Sequence, residues 1–281
     1  MPPNNAVFDA IANQYDAIFT QTAAGEGQRK AVWQYVAQYF LNQESKQCNT
    51  PPFFRILELN CGTGHDAAWF AQHNCNVLAT DISSQMIAVA QQKIADLGLA
   101  DWVTCQVLDT QHLSQLPPQY TNHFDLIFSN FGGLNCLSPH ALQAFAMQAA
   151  ACLKPNGRLI LVVMGTFCWH ETAYFCLKGQ LTQAIRRLKK GKHAAHIGNQ
   201  VTIDTWYYRP GRLAKLLAPH FKPIRKKPIG IAFPPSYLNP VIAAKPRLIK
   251  ALSYTENCLG KIPPLAYTSD HYLIDFVKQN T

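Results

Sequence analysis

The stretch Arg55-Ile-Leu-Glu58-Leu-Asn60-Cys-Gly62-Thr-Gly64 decides how this chain folds. An apolar strand runs straight into a glycine turn, and Asp66 to Gln72 follows with the pattern of a helix. Glycines at 62 and 64 let backbone approach a ligand with no Cβ in the way, and the helix start beyond them offers free N–H groups. With Ala67 the stretch satisfies G-x-G-x-x-A, a relaxed dinucleotide fingerprint that is weak evidence alone.

Glu58 separates the ligands such a turn can hold. A dinucleotide would set its anionic pyrophosphate beside a carboxylate at the strand end, which repels it; a ligand carrying an ammonium or sulfonium would be attracted. Asp81 stands at the end of the next apolar run, in Leu-Ala-Thr-Asp81-Ile-Ser, 23 residues after Glu58. A carboxylate there is placed to accept hydrogen bonds from both hydroxyls of a ribose.

Working outward, apolar runs at Arg55–Leu59, Asn76–Thr80, Val103–Val107, Phe124–Ser129 and Arg158–Met164 alternate with helical patterns, which predicts βαβ units around a parallel sheet. Ser84 is expected to cap a helix through Met86, Val89, Ala90 and Ile94 that ends at Gly98, and Ser138-Pro139 opens another. Upstream, Val32, Val36, Tyr39 and Phe40 predict a helix over Gln28–Leu41. After the fifth run the alternation breaks. Tyr174, Leu177, Leu181, Ile185 and Leu188 recur at helical intervals over 167–192, with Arg186, Arg187, Lys189, Lys190 and Lys192 crowding the end, as in an inserted amphipathic helix. A strand near Val201–Tyr208, a helix from Pro210, a strand near Ile224–Phe233, a helix over Asn239–Leu259 and a strand Tyr272–Val277 complete the expected elements.

The 281 residues suit one domain with an insertion. The expected divisions are an N-terminal helical cap (1–52), a ligand-binding core (53–166), the inserted helix (167–200) and the C-terminal part of the sheet (201–281). Net charge is +9, unevenly spread: residues 178–250 hold sixteen lysines and arginines against the single acid Asp204, while the first 177 residues are acidic. Nine scattered cysteines, never spaced C-x-x-C, indicate neither a disulfide framework nor a zinc site, and no metal is expected. The opening residues lack a secretory pattern and no apolar stretch is long enough to span a membrane, so a cytoplasmic location is expected, with association at a membrane surface as an option.

An acid, then spaced glycines, then a second acid 23 residues on resembles the class I S-adenosylmethionine-dependent methyltransferases, whose first motif is E/D-x-G-x-G-x-G; here Asn60 replaces the first glycine, and Asn tolerates positive φ. The resemblance covers residues 8–165. It implies a Rossmann-like α/β fold with a seven-stranded, mostly parallel sheet, the last strand antiparallel, helices on both faces and an inserted helical cap. It implies S-adenosylmethionine as cofactor and S-adenosylhomocysteine as product, held by Glu58, Asn60, Gly62, Gly64 and Asp81. Ile82 and Met86 would border the adenine, Asp109 its amino group, Asn130 and Phe131 would flank donor and acceptor, and Tyr15 would close over the cofactor. A loop aspartate such as Asp109 also commonly only caps a helix.

Methyl transfer from a sulfonium is an in-line displacement in which positioning and loss of the acceptor's proton supply most of the catalysis. His170, after the fifth strand, is the first candidate base, with Glu171, His65 and His271 behind it; a loop histidine without catalytic duty is the plain alternative. Phe131, Trp169, Tyr207 and Tyr208 are candidate walls of an apolar acceptor pocket. The sequence after the fourth strand, Ser129-Asn-Phe-Gly-Gly-Leu-Asn135, lacks the N/D-P-P-Y/F box of amino-group methylases of adenine and glutamine, and no Pro-Cys nucleophile is present. The expected activity is methyl transfer to O or N of a small, apolar or amphipathic molecule of natural-product, quinone or lipid type. An RNA methyltransferase and a non-catalytic cofactor-binding protein are the rivals. A nucleic-acid partner is not expected, for want of a stacking motif, whereas residues 170–192 offer a contact for anionic membrane.

Overall fold

The computed structural model describes residues 8–42, 54–189, 191–197, 201–233 and 245–279. Five parallel strands fall where the apolar runs place them: β1 (Phe54–Leu59), β2 (Cys75–Asp81), β3 (Val103–Val107), β4 (Phe124–Ser129) and β5 (Leu153–Met164). The last begins earlier than expected because Leu153 already pairs with Phe124, across a bend at Asn156 (φ 62°). Strands β8 (Phe221–Ile229) and β9 (His271–Lys278) complete a seven-stranded sheet of order β3-β2-β1-β4-β5-β9-β8, in which β9 runs antiparallel to both neighbours. The strand expected near Val201 does not join it. Instead β6 (His193–Ile197) and β7 (Val201–Thr205) form a separate antiparallel pair.

Burial on both faces makes the central strands near-continuously apolar. Leu57, Leu59, Ile127, Leu159, Leu161 and Val163 point into one core, while Ile56, Leu126, Phe128, Ile160 and Val162 point into the other. The first core is closed by α4 (Pro139–Cys152) and α7 (Pro210–Leu217), the second by α1 (Ala23–Val36), α2 (His65–Gln72) and α3 (Ser84–Asp96). Thr22 caps α1 by accepting from the Gly25 N–H, and the helix is prolonged by wider turns over Ala37–Leu41. Ser138 caps α4 as expected, but Ser83 rather than Ser84 caps α3, taking the Met86 N–H at 3.0 Å.

The expected single helix over 167–192 is not formed. Its residues make α5 (Trp169–Leu177), a reversal at Gly179 (φ 70°), the one-turn α6 (Leu181–Ala184) and a short turn at Arg186–Leu188. The break has an electrostatic cause: Arg186 and Arg187 turn inward onto Glu171, which is 2 % exposed, leaving Leu177, Leu181, Ile185 and Leu188 outside. The uninterrupted basic helix on which a membrane contact through 170–192 would rest is therefore absent; Lys192 is paired with Asp204, and Lys190 lies outside the described residues. The last helix, α8, covers Pro246–Leu259; its expected start at Asn239 also lies outside the described residues. Among these residues no helix is long and apolar enough to cross a membrane, and no three metal-ligating side chains cluster. Eight of the nine cysteines lie among them, all unpaired.

Helix α1 is tied to the sheet by a buried ion pair. Both oxygens of Asp275 on β9 are taken by Arg158 on β5, and Tyr35 Oη donates to Oδ2 at 2.6 Å. Removing one partner strands the other charge in the core, a cost of about 3–5 kcal/mol. Asp275→Ala is therefore expected to lose that much in urea unfolding, and a loss below about 1 kcal/mol would mean that water reaches the pair.

Candidate cofactor site

At the carboxyl edge of the sheet, three alternate residues in left-handed backbone shape the turn after β1: Asn60 (φ 55°), Gly62 (φ 52°) and Gly64 (φ 78°). Asn60 thus takes the conformation a glycine would, and its Oδ1 accepts from Thr110 Oγ1 at 3.2 Å. Gly64 faces α3, where a Cβ would stand 3.0 Å from that of Ala90. Asp81 braces the loop from β2, accepting the Gly62 N–H at 3.0 Å on one oxygen and the Ser83 N–H at 2.9 Å on the other. A carboxylate has about four lone-pair sites, so both oxygens keep capacity for a ligand's hydroxyls.

Glu58 is 2 % exposed, and its Oε2 is fully buried without a hydrogen-bond partner. Burial pushes its carboxyl well above the ordinary range, the Asp66 charge adds to this, and Arg29 opposes it. Asp66, on the first turn of α2, is the node of a second cluster: Arg29 Nη1 donates to it at 2.5 Å, Trp33 Nε1 at 2.6 Å and Asn130 Nδ2 at 3.0 Å. The Arg29 guanidinium also lies 4.7 Å over the Phe131 ring, itself turned by a left-handed backbone (φ 49°).

The N-terminal segment closes over this edge. Tyr15 packs on the loop, with Cε1 3.7 Å from where a Gly62 Cβ would be, and burial, opposed by Arg29, pushes its hydroxyl up to about 12. Its neighbour Asp16 is the latch, accepting from Thr63 Oγ1 at 2.5 Å and Lys93 Nζ at 2.7 Å with His65 Nε2 at 3.1 Å. Although burial opposes ionisation, those three partners hold its carboxyl well below the ordinary range.

Other expected site residues sit differently. Asp109 caps the turn Thr110–Gln115 through the Gln111 N–H, with His112 at 3.3 Å, so both its oxygens have local partners. Met86 is buried at the start of α3 and Ile82 half-buried beside Asp81. His170 Nε2 donates to the Ile231 carbonyl at 2.9 Å, which leaves only Nδ1 as a base, and burial pushes its imidazole down; Trp169 Nε1 donates to the same carbonyl. Tyr207 lies under the Arg187 guanidinium, 5.3 Å away. Tyr208 is corrected from a pocket wall to a core residue: it is 2 % exposed and its hydroxyl is spent on the Leu137 carbonyl. Glu171 is consumed by its two arginines and His65 by Asp16.

His271 gains from the fold what the others lose. It opens β9 opposite Met164, at the carboxyl edge, with Nδ1 3.2 Å from Asp270 Oδ2 and its ring edge-on to Phe131 at 5.8 Å. Asp270 is buried and paired with Arg187, and the His271 and Arg187 charges outweigh burial to hold its carboxyl well below the ordinary range. Arg29, Asp16, Asp66 and Asp270 carry this site yet went unread in the sequence; a lone arginine near the apolar stripe of α1 was the one available signal.

A family model described as "Methyltransferase domain" matches residues 56–157, the segment holding Glu58, Asp81, Asp109 and Asn130. That segment is a methyltransferase domain of the class I, S-adenosylmethionine-dependent kind. The chain is 29 % identical over 160 residues to a ubiquinone/menaquinone biosynthesis C-methyltransferase of Methylococcus capsulatus, covering 56 % of this chain and 58 % of that one. It thus spans less than two thirds of the length of the curated relatives it matches. Among solved structures it is similar to a putative S-adenosylmethionine-dependent methyltransferase from Listeria monocytogenes (TM-score 0.56, 15 % identity, 89 % of this chain and 99 % of that one). It is similar also to the [4+2]-cyclase SpnF (TM-score 0.55, 14 % identity, 99 % and 96 %), so the fold is shared by proteins named for different reactions.

The residues fit this family's cofactor. The unpartnered Oε2 of Glu58 suits a cationic ligand, and Asp81 has lone pairs free for ribose. A proton on Glu58 competes with that cation, and because its carboxyl is raised the competition extends above the ordinary carboxylate range. Affinity for S-adenosylmethionine should therefore climb with pH until Glu58 is ionised. Glu58→Gln should flatten the climb and weaken binding about tenfold or more, the worth of one charge-assisted contact. Calorimetric titration across pH checks this; an unchanged slope in the variant would remove Glu58 from the site.

Proposed function

We propose that this methyltransferase-family chain transfers the cofactor's methyl group to a small amphipathic ring acceptor, a hydroxylated arene of quinone-precursor type, with His271 as the general base. The pairing of His271 with Asp270 against the Phe131 ring carries this reading. The cofactor, when bound, supplies a methyl group on a sulfonium, the leaving group that departs with the bonding electrons as neutral thioether.

Phe131 offers a flat apolar wall beside the donor residues, and the Arg29 guanidinium steadies it by lying over the ring at 4.7 Å. An arene hydroxyl must lose its proton as the methyl bond forms, whether at oxygen or at the adjacent ring carbon. His271 Nε2 takes that proton, and the ionised Asp270 stabilises the imidazolium that results, as a buried carboxylate does for a histidine base. Arg187 in turn keeps Asp270 from rotating away, with Glu171 behind it. The relatives' printed names favour carbon as the methylated atom over the O or N expected from sequence. No corresponding feature supports the RNA rival: Arg186, Arg187 and Lys192, three of the cations it would use, are paired within the chain.

His271→Gln is expected to lower kcat by about 10²–10⁴ while leaving S-adenosylmethionine affinity unchanged. Single-turnover assays on hydroxylated naphthalenes with ¹³C-methyl cofactor check this, and the carbon shift of the product separates C-methyl from O-methyl. Undiminished turnover would remove His271 as the base. Methyl incorporation into purified RNA but into no arene would favour the rival.

A further inference from the structure

Away from the methyl-transfer edge, an open cleft of 850 Å³ runs around the outer strand β8, bordered by the end of α1 and the turns that follow it, by α7 and by the turns after α8. Its charge is one-sided. Arg225, Lys226, Lys227 and Lys261 line it, and none of its described lining residues is an acid. Among the described residues none of the four takes part in an ion pair. The nearby carboxylates are already spent. Glu256 accepts the Gly230 and Ala232 N–H groups at 2.8 Å each, and Asp275 is taken by Arg158 and Tyr35.

The cations are also set in place. The Arg225 guanidinium lies 4.3 Å over Tyr39, while Lys226, on the opposite face of β8, has its Nζ 4.6 Å over Tyr267 at the far rim. Lys227 Nζ reaches the Gly260 carbonyl at 3.4 Å, an approach that needs glycine there, since a Cβ would stand 2.4 Å from the ammonium. Burial disfavours the Lys227 ammonium, Lys261 repels it, and Glu256 relieves it only in part. Lysines and prolines on an edge strand ordinarily serve to block pairing with another sheet. That duty accounts for Lys222 and Pro223, which point to solvent, but not for Lys261 on a separate turn or for a half-buried lysine threaded past a glycine.

We propose that this cavity binds a diphosphate group, free or carried on a small molecule. A guanidinium fork matches phosphate oxygens two at a time, and the Lys227 and Lys261 ammoniums supply point charges for the remainder. Its occupant relieves the repulsion between Lys227 and Lys261, which Glu256, spent on two backbone N–H groups, offsets only in part. The proposal is independent of the acceptor reading, since none of these residues touches the cofactor site.

Calorimetric titration of the full chain with inorganic pyrophosphate tests it, with ADP as a second arm. Saturable one-to-one binding is expected, weakened at least tenfold in Lys227→Met and in Arg225→Gln, while S-adenosylmethionine affinity stays unchanged and certifies the fold. Equal affinity for the two ligands would mean that the diphosphate alone is read, and tighter ADP binding that the carrier is read too. No saturable binding to wild type, or equal binding by Arg225→Gln, overturns the proposal.

Discussion

Two carboxylates at the ends of adjacent parallel strands, Glu58 and Asp81, constrain everything around them. Asp81 meets its need for donors by pulling the Gly62 N–H toward itself, so the turn closes and the loop must pass through left-handed backbone at residues 60, 62 and 64. Glu58 has no such relief: it is buried, half unpartnered and close to Asp66. Burial disfavours its charged form, and a cationic ligand is what would favour it.

The rest of the molecule steadies that arrangement. Asp66 gathers Arg29, Trp33 and Asn130, which fixes α1, α2 and the loop after β4 relative to one another. The stacked rings of Trp33 and Trp69, 5.3 Å apart, extend the same contact between α1 and α2. Asp16 latches the N-terminal segment over the turn, while Asp270, Arg187 and Glu171 latch the inserted segment at the other side. Each latch is an acid, half-buried at Asp16 and buried at Asp270 and Glu171, whose charge is answered by groups from elsewhere in the chain.

That division explains what was legible in the sequence. Strands β1 to β5 are buried on both faces, so their apolar runs survive as local pattern, and Glu58 and Asp81 stand out as acids at the ends of such runs. Pattern failed over 167–192, where Leu177, Leu181 and Ile185 keep helical spacing yet remain exposed, because Arg186 and Arg187 answer to Glu171 and the second of them also to Asp270, 83 residues on. The same distance hid Asp16, which meets Thr63 and Lys93, and Asp270, which turns His271 from one histidine among ten into a paired base. Conversely, Tyr208 looked functional by position, and its hydroxyl is spent on a core carbonyl.

Competition between ligands measures the central constraint most directly. Calorimetric titration of the chain with S-adenosylmethionine, S-adenosylhomocysteine and NAD should show saturable binding of the first two, lost on Asp81→Ala, and none of the third, because its pyrophosphate would face Glu58. Tight NAD binding without a response to either adenosyl ligand would contradict the account.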